Sequence, residues 1–194
     1  PPNPITLVYL IVATNGVALS APSVFLPKML EKLFHYDPES IGTPVGALQG
    51  CYSGGMFLSS FYMGHLSDVH GRKPLLLLGM GVGGVLLSLF GFSPTLGWAA
   101  ANRLVEGLLN AIIPVSKAYL TDLTPPGAAR QMAFAYFGAA FSLARALSSA
   151  MTGFVYEMSP KDTMWEFAIP CFFAASPLII MWFATLVFLP RQPK

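Results

Sequence analysis

The sequence contains few charged residues, with 11 Lys and Arg and 9 Asp and Glu among 194 residues. They are grouped in short clusters between long apolar runs, a distribution that predicts an integral membrane protein rather than a soluble domain. The net charge is only +2, and there is no basic tail or patch, so we expect the lipid bilayer and not nucleic acid as a partner. Cys51 and Cys171 both lie inside apolar runs, which predicts buried thiols and no disulfide framework.

The sequence also lacks the patterns that indicate an enzyme. Its three histidines are scattered in or near loops without the spacing of metal ligands, so no metal site is predicted. No arrangement of serine, cysteine or histidine nucleophiles stands out. The glycine-rich segment 81–84 lies inside an apolar run and lacks the Lys and the Ser or Thr of a phosphate-binding loop. We therefore expect neither enzymatic activity nor a cofactor.

Long uncharged runs are what the sequence does contain. Residues 5–27 include no charge and as a helix would cover about 34 Å, enough for a hydrocarbon core of roughly 30 Å. Charged clusters, prolines and glycines separate five further runs, and no segment has the pattern of a strand. We predict one bundle of six transmembrane helices over 1–194, at 5–27, 44–65, 74–92, 95–120, 130–156 and 167–189.

Basic residues in the short loops predict the orientation, because Lys and Arg are retained on the cytoplasmic side of a membrane. With six spans, five basic residues share one face, namely Arg72, Lys73, Arg130, Arg191 and Lys194. The other face has three lysines mixed with acids. We therefore expect the 66–73 turn and both termini on the cytoplasmic or equivalent side.

The predicted third and sixth helices are almost free of polar residues and can face lipid, whereas the fourth and fifth have polar stripes at 100° per residue. The stripe of the fourth helix is Arg103, Glu106, Asn110 and Lys117, and that of the fifth is Ser142, Arg145, Ser149, Thr152 and Tyr156. Ionisable residues inside a membrane are costly and normally face a bundle interior or a water-filled path. The two stripes therefore predict a common cavity for substrate or protons.

These cavity candidates also have a packing interpretation. Arg103 and Glu106 lie three positions apart and could neutralise each other, and Lys117 could extend its ammonium to the membrane surface. Arg145 has no acid within one helical turn, so we expect Glu106, the only acid deep in the bundle, to be its partner and the proton site. Asn15 is a weaker candidate, because a lone Asn more often bonds a neighbouring helix. Three cations against Glu106 are compatible with an anionic or zwitterionic solute.

A short charged turn joins the second and third predicted helices, and it reads Gly64-His-Leu-Ser-Asp68-Val-His-Gly71-Arg72-Lys73-Pro74. This G-x-x-x-D-x-x-G-R-K form resembles the loop between helices two and three of the major facilitator superfamily of transporters. The segment 102–110 resembles the R-x-x-x-G element of that family's fourth helix, and 117–127 resembles its exit. The chain looks most similar to the proton-coupled drug antiporters and to the zinc-induced facilitator-like members.

The resemblance implies that this turn is a conformational latch. In the family, the Asp and Arg of the turn form a charge network with an acid at the end of helix four and with a helix end of the other half. The residues carried over are Gly64, Asp68, Gly71, Arg72, Lys73 and Asp122. An Arg between two acids can hold one conformation, and the glycines permit close approach and a tight turn.

The sequence departs from the family pattern at three places. Val69 stands where a basic residue often follows the Asp, and Leu109 stands where a second glycine is expected. On the fifth helix, residues 144–153 keep only the last glycine of the antiporter motif and lack its proline. These departures imply a weaker latch and a weaker case for an antiporter.

The resemblance also implies one half of a larger fold. Such transporters have two six-helix halves, each a three-plus-three inverted repeat, with substrate between them. The polar stripes of a lone half would face lipid, so we expect a second six-helix half or other membrane subunits against helices four and five. Our first hypothesis is the N-terminal half of a secondary active transporter that moves a small solute by alternating access, with or without proton coupling. The alternatives are a degenerate half that serves as a structural subunit of a membrane complex, and a homodimer of halves.

Overall fold

The computed structural model describes residues 3–189, and within that range the chain is all helical, as predicted, without a strand. The helices are α1 (Pro4–Phe34), α2 (Gly42–His70), α3 (Arg72–Phe90), α4 (Leu96–Leu109), α5 (Ile112–Leu123), α6 (Ala128–Met158) and α7 (Trp165–Phe188). Asn3 caps α1 by accepting a hydrogen bond from the Ile5 amide at 3.0 Å, and Thr95 caps α4 through the Trp98 amide at 3.2 Å.

Three of these helices, α1, α3 and α7, are long and apolar enough to cross a membrane by length and composition. α2 and α6 are also long, at 29 and 31 residues, and could each span about 45 Å. Their glycine, serine and alanine content makes them less apolar than the other three. The apolar helices support a multi-pass integral membrane protein.

Helix α1 is longer than the predicted 5–27, and it continues through Pro22 and Pro27 to Phe34. Its last turns contain Lys28 and Lys32, and both ammonium groups contact acids near the adjoining ends of α6 and α7. The charged segment therefore extends the helix beyond the apolar run instead of ending it. α2 likewise continues past 65 to His70.

Three helix pairs form the most extensive contacts, α1 with α6, α2 with α4, and α3 with α7. α1 also contacts α7 and α5, so it lies in the interior of the bundle. Phe25 of α1 is fully buried, with its ring 6.4 Å from that of Phe90 and 6.0 Å from that of Phe167. This arrangement leaves broad faces of α2, α6 and α7 exposed, with Phe57 on α2 being 80% exposed.

The predicted fourth span, 95–120, is two helices rather than one. α4 ends at Leu109 and α5 begins at Ile112, with Asn110 in an extended conformation between them. The side-chain Oδ1 of Asn110 accepts a hydrogen bond from the Ile112 amide at 3.1 Å. Because Pro114 has no N–H, it could not have bonded the carbonyl four residues earlier, and the Asn110 side chain provides a new helix start.

Glycines allow α2 and α4 to approach closely. A Cβ on Gly107 would lie 2.2 Å from the carbonyl oxygen of Tyr52, and one on Gly55 would lie 2.6 Å from that of Leu104. Gly107 is the glycine of the R-x-x-x-G segment, so its role in this chain is helix packing. The spaced pair Gly50 and Gly54, in contrast, has open space around it within the described residues.

Candidate functional site

The predicted latch residues Asp68, Arg72 and Asp122 lie together. Arg72 Nη1 is 2.5 Å from Asp68 Oδ1, and Arg72 Nη2 is 3.1 Å from Asp122 Oδ2. Arg72 also donates to the Ser67 hydroxyl. The Arg72 side chain is 14% exposed, against 64% for Asp68 and 42% for Asp122, so one largely buried cation bridges acids from the ends of α2 and α5. We call Ser67, Asp68, Arg72 and Asp122 the turn cluster.

The other predicted latch residues have separate roles in the structure. Gly71 is the single residue between α2 and α3 and has φ of +90°, a conformation that side chains disfavour. Gly64 has no atom within 4 Å of a Cβ built on it among the described residues, so the close approach predicted there is not found within this chain. Lys73 Nζ donates to the carbonyls of Leu186 and Leu189 at 2.8 and 2.6 Å, which caps the end of α7.

Arg103 and Glu106 form a buried ion pair. Arg103 Nη1 is 2.8 Å from Glu106 Oε2, and the two side chains are 6% and 2% exposed. The guanidinium also lies 4.0 Å from the ring centroid of Phe90 on α3. Arg103 Nε and Nη2 have no hydrogen-bond partner within the described part of the chain. The pair therefore lies inside the bundle and carries no net charge.

Asn15, Tyr52 and Asn110 lie together beside the interruption between α4 and α5, and we call these three residues the amide cluster. Asn110 Nδ2 donates to the Tyr52 hydroxyl at 2.9 Å and to Asn15 Oδ1 at 3.3 Å. All three residues are buried. Asn15 Nδ2 has no hydrogen-bond partner among residues 3–189. The cluster joins α1, α2 and the helix interruption through neutral groups that can bind water or a polar solute.

Arg145 and Lys117 differ from the other candidates because both are exposed. Arg145 lies midway along α6, with its guanidinium 5.5 Å from the Phe141 ring centroid and its Cγ close to Gly16 of α1. The expectation that Glu106 pairs with Arg145 is wrong, because Arg103 occupies that carboxylate. Neither Arg145 nor Lys117 forms an ion pair within residues 3–189.

The helix interruption explains why the predicted polar stripe of the fourth span divides. A continuous helix would place Lys117 on the same face as Arg103, Glu106 and Asn110. In the structure, those three are buried in or beside α4 whereas Lys117 of α5 is exposed. The stripe on α6 also divides, because Ser142, Arg145 and Ser149 are exposed and Thr152 and Tyr156 are buried.

A second ion cluster, which we did not predict, joins α1, α6 and α7 at the bundle end opposite the turn cluster. Its centre is Glu166, 1% exposed, whose carboxylate lies 3.0 Å from Lys32 Nζ. The Tyr156 hydroxyl donates to Glu166 at 2.8 Å, and the Asp162 amide donates at 2.9 Å. We call these four residues the far-end cluster. They are up to 134 residues apart in the chain, so no local sequence signal indicates the cluster.

No group of three or more His, Cys, Asp or Glu residues within the described range could hold a metal ion. Both cysteines have free thiols; Cys171 is buried as predicted, whereas Cys51 is only half-buried. The polar groups near the middle of the bundle include the amide cluster, the Arg103–Glu106 pair and Arg145. Such a set can bind and orient a polar solute.

Within residues 3–189, the structure is a helical bundle with three apolar helices long enough to span a membrane, a charged turn at one end and buried polar residues inside it. The family model described as Major Facilitator Superfamily matches residues 8–194. The chain therefore belongs to the Major Facilitator Superfamily, which confirms the resemblance found in the turn. The matching proteins are transporters and not enzymes.

Individual relatives agree with this assignment. The chain is 28% identical to the class B tetracycline resistance protein of Escherichia coli, over 98% of this chain and 44% of that protein. It is 25% identical to the zinc induced facilitator 1 protein of Arabidopsis thaliana, over 87% of this chain and 37% of that protein. These two relatives bear out the branch indicated by the sequence.

A solved structure matches the whole bundle. The crystal structure of the human organic anion transporter MFSD10 (TETRAN) superposes with a TM-score of 0.74 at 26% identity, covering 98% of this chain and 49% of that one. The chain thus spans about half the length of the relatives it matches.

Proposed function

We propose that this chain is the N-terminal half of a secondary active transporter, which moves a small solute by alternating access against a second six-helix half. The observation that carries this proposal is the exposed cation Arg145, which lies midway along α6. An Arg or Lys facing lipid near the centre of a bilayer costs about 3 kcal/mol on insertion scales. A water-filled path between two halves removes that cost.

The helix pairing supports six spans arranged as an inverted repeat. When α4 and α5 are counted together as the fourth span, the extensive contacts join spans one and five, two and four, and three and six. In an inverted repeat, spans one, two and three correspond to spans four, five and six. This correspondence converts the pair of spans one and five into the pair of spans four and two, and it leaves the pair of spans three and six unchanged. That is the pattern expected of a three-plus-three repeat.

We further propose that transport is coupled to protons at Glu106. Of the nine acids, it alone lies away from the segments that join the predicted spans, because the end of α4 at which it stands is the interruption inside the fourth span. Glu106 is paired with Arg103 inside the bundle, so a rearrangement that separates the two groups leaves two unpaired charges in a poorly hydrated site. Uptake of a proton by the carboxylate removes one of those charges, so rearrangement and protonation would be linked.

The proposed orientation places the 66–73 turn and both termini on the cytoplasmic or equivalent side. Arg72, Lys73 and Arg130 lie at that end of the bundle, whereas Arg191 and Lys194 lie outside the described residues. The opposite end has the far-end cluster, where lysines are matched by acids. This balance is what the retention of cytoplasmic Lys and Arg predicts.

The alternative is that the half serves as a structural subunit of a larger membrane complex, with its exposed faces against other proteins. The observation that favours it is the loss of the antiporter motif along 144–153 of α6. A homodimer of halves is the third arrangement. The three differ in what contacts the exposed face of α2.

A photo-cross-linking experiment distinguishes these arrangements. We would replace Phe57, 80% exposed on α2, with benzoylphenylalanine in the protein expressed from its complete coding sequence. The matched control is the same change at Ile180, 68% exposed on the apolar helix α7. We expect mass spectrometry to identify cross-links from position 57 to helices of a second six-helix half, and none from position 180. Cross-links from position 57 to unrelated subunits would contradict the transporter proposal.

A further inference from the structure

The far-end cluster lies where an inverted repeat would place a counterpart of the turn cluster. The turn cluster joins the connection between spans two and three to the end of span four. In the correspondence of spans one to three with spans four to six, its counterpart is the connection between spans five and six together with the end of span one. The far-end cluster has these parts: Lys32 is in the last turn of α1, Asp162 lies between α6 and α7, and Glu166 begins α7.

The members of the two clusters also stand at matching positions along their helices. When the corresponding helix ends are aligned, three residues of one cluster pair with three of the other. Within each pair, the distance from the helix end differs by no more than one residue. The matched pairs are Asp68 with Tyr156, Arg72 with Glu166, and Asp122 with Lys32. The two clusters therefore correspond residue by residue, and not only in the loops that they occupy.

The two clusters have the same arrangement of partners with the signs of charge reversed. At the turn, the largely buried centre is the cation Arg72, which donates to three side chains of the turn cluster. At the far end, the buried centre is the acid Glu166, which accepts from the three other residues of the far-end cluster. Arg72 of span three bonds Asp122 of span four, and Glu166 of span six bonds Lys32 of span one. Each cluster therefore ties the two three-span repeats together at its own end of the bundle.

We propose that the far-end cluster is a second latch, which holds the far end of the bundle closed as the turn cluster holds the opposite end. This inference rests on the proposed function, because alternating access requires the two ends to open in turn. A cluster that joins the repeats at one end must yield before they separate there, and it need not yield for separation at the other end. Loss of each cluster should therefore favour opening at its own end, so the two losses act in opposite directions.

The reactivity of a thiol at position 149 from each side of the membrane tests this inference. Ser149 is exposed on α6, and Ser149→Cys would be made with Cys51→Ser and Cys171→Ser in the protein expressed from its complete coding sequence. A membrane-impermeant thiol reagent is applied to each side in turn, and the ratio of the two rates reports which end is open. We expect Glu166→Gln to change this ratio about fivefold in one direction and Arg72→Gln to change it in the other.

Two further variants separate a latch from a general loss of packing. Tyr156→Phe keeps the ring, whose centroid is 5.7 Å from that of Phe167, and removes the hydroxyl that donates to Glu166. It should shift the ratio in the same direction as Glu166→Gln and by less. The matched control is Lys28→Gln, which removes the exposed ion pair with Glu157 at the same end of the bundle and leaves the buried carboxylate paired, so the ratio should stay unchanged.

The outcomes distinguish a failure of the second latch from a failure of the proposed function. A ratio that Glu166→Gln and Tyr156→Phe leave unchanged, or shift in the same direction as Arg72→Gln, overturns the inference. An equal shift in Lys28→Gln also overturns it, because surface charge would then account for the effect. In these cases the proposed function stands if the thiol at position 149 still reacts from both sides. Reaction from neither side, or from one side under all conditions, would overturn the proposed function and the inference with it.

Discussion

Replacing Glu106 with Gln should abolish the accumulation of solute driven by a proton gradient. Gln keeps the shape of the side chain and cannot take up a proton, so exchange of solute across the membrane should continue while its pH dependence disappears. Both quantities can be measured in proteoliposomes. Accumulation is measured under a pH gradient, and exchange is measured with solute on both sides of the membrane. A merely structural role would reduce both rates together.

The same substitution leaves Arg103 buried and unpaired, and breaking a buried ion pair costs about 3–5 kcal/mol. We therefore expect a lower Tm in Glu106→Gln. The double variant Arg103→Met with Glu106→Gln removes both charges and should recover much of that Tm without recovering proton-driven accumulation. Accumulation that persists in either variant would contradict the assignment of Glu106 as the proton site.

Replacing Arg72 with Gln should shift the balance between conformations by about tenfold. Arg72 is 14% exposed and bridges Asp68 and Asp122, so its loss removes two ion pairs at once, worth together roughly 1–2 kcal/mol. Asp68 is 64% exposed and forms only one of those pairs, so Asp68→Asn should have a smaller effect. The measurement is the ratio of conformers, read from spin-label distances between the two halves.

Two variants at the same turn serve as controls. Arg72→Lys keeps a positive charge, so its conformer ratio should be close to that of the unaltered protein. A weaker contact with Asp122 should account for the remaining difference. Lys73→Gln removes a charge that caps α7 and does not contact the acids of the turn cluster, so it should lower Tm more than it shifts the conformers. If Arg72→Gln, Asp68→Asn, Arg72→Lys and Lys73→Gln all gave the same conformer ratio, the turn cluster would not act as a latch.

Much of the fold could be predicted from the sequence because membrane helices need about 20 apolar residues and charges collect between them. The run 5–27 and the turn at Gly71 follow from that rule alone. The meeting of Arg72 with Asp122, 50 residues away, followed only from the resemblance to a transporter family. Local patterns cannot determine which helix ends are neighbours.

Two features of the site could not be predicted, for different physical reasons. The helix interruption at Asn110 lies in an uncharged run, and its one signal is an Asn four residues before Pro114, a spacing that suits a new helix start. That interruption turns Lys117 away from Arg103 and so divides the predicted stripe. The far-end cluster depends on contacts between Lys32 and Glu166 over more than 100 residues, which only tertiary packing produces.

Thiol accessibility at Ser149 tests the central claim, that the exposed face of α6 lines a path open alternately to each side. Ser149 is exposed one turn from Arg145, and Ser149→Cys would be made with Cys51→Ser and Cys171→Ser. In proteoliposomes, we predict that a charged thiol reagent reacts at position 149 from either side of the membrane and that a proton gradient changes the ratio of the two rates. Ile180→Cys, on the apolar face of α7, should react from neither side. Protection of position 149 from both sides, or reaction from one side under all conditions, would contradict alternating access.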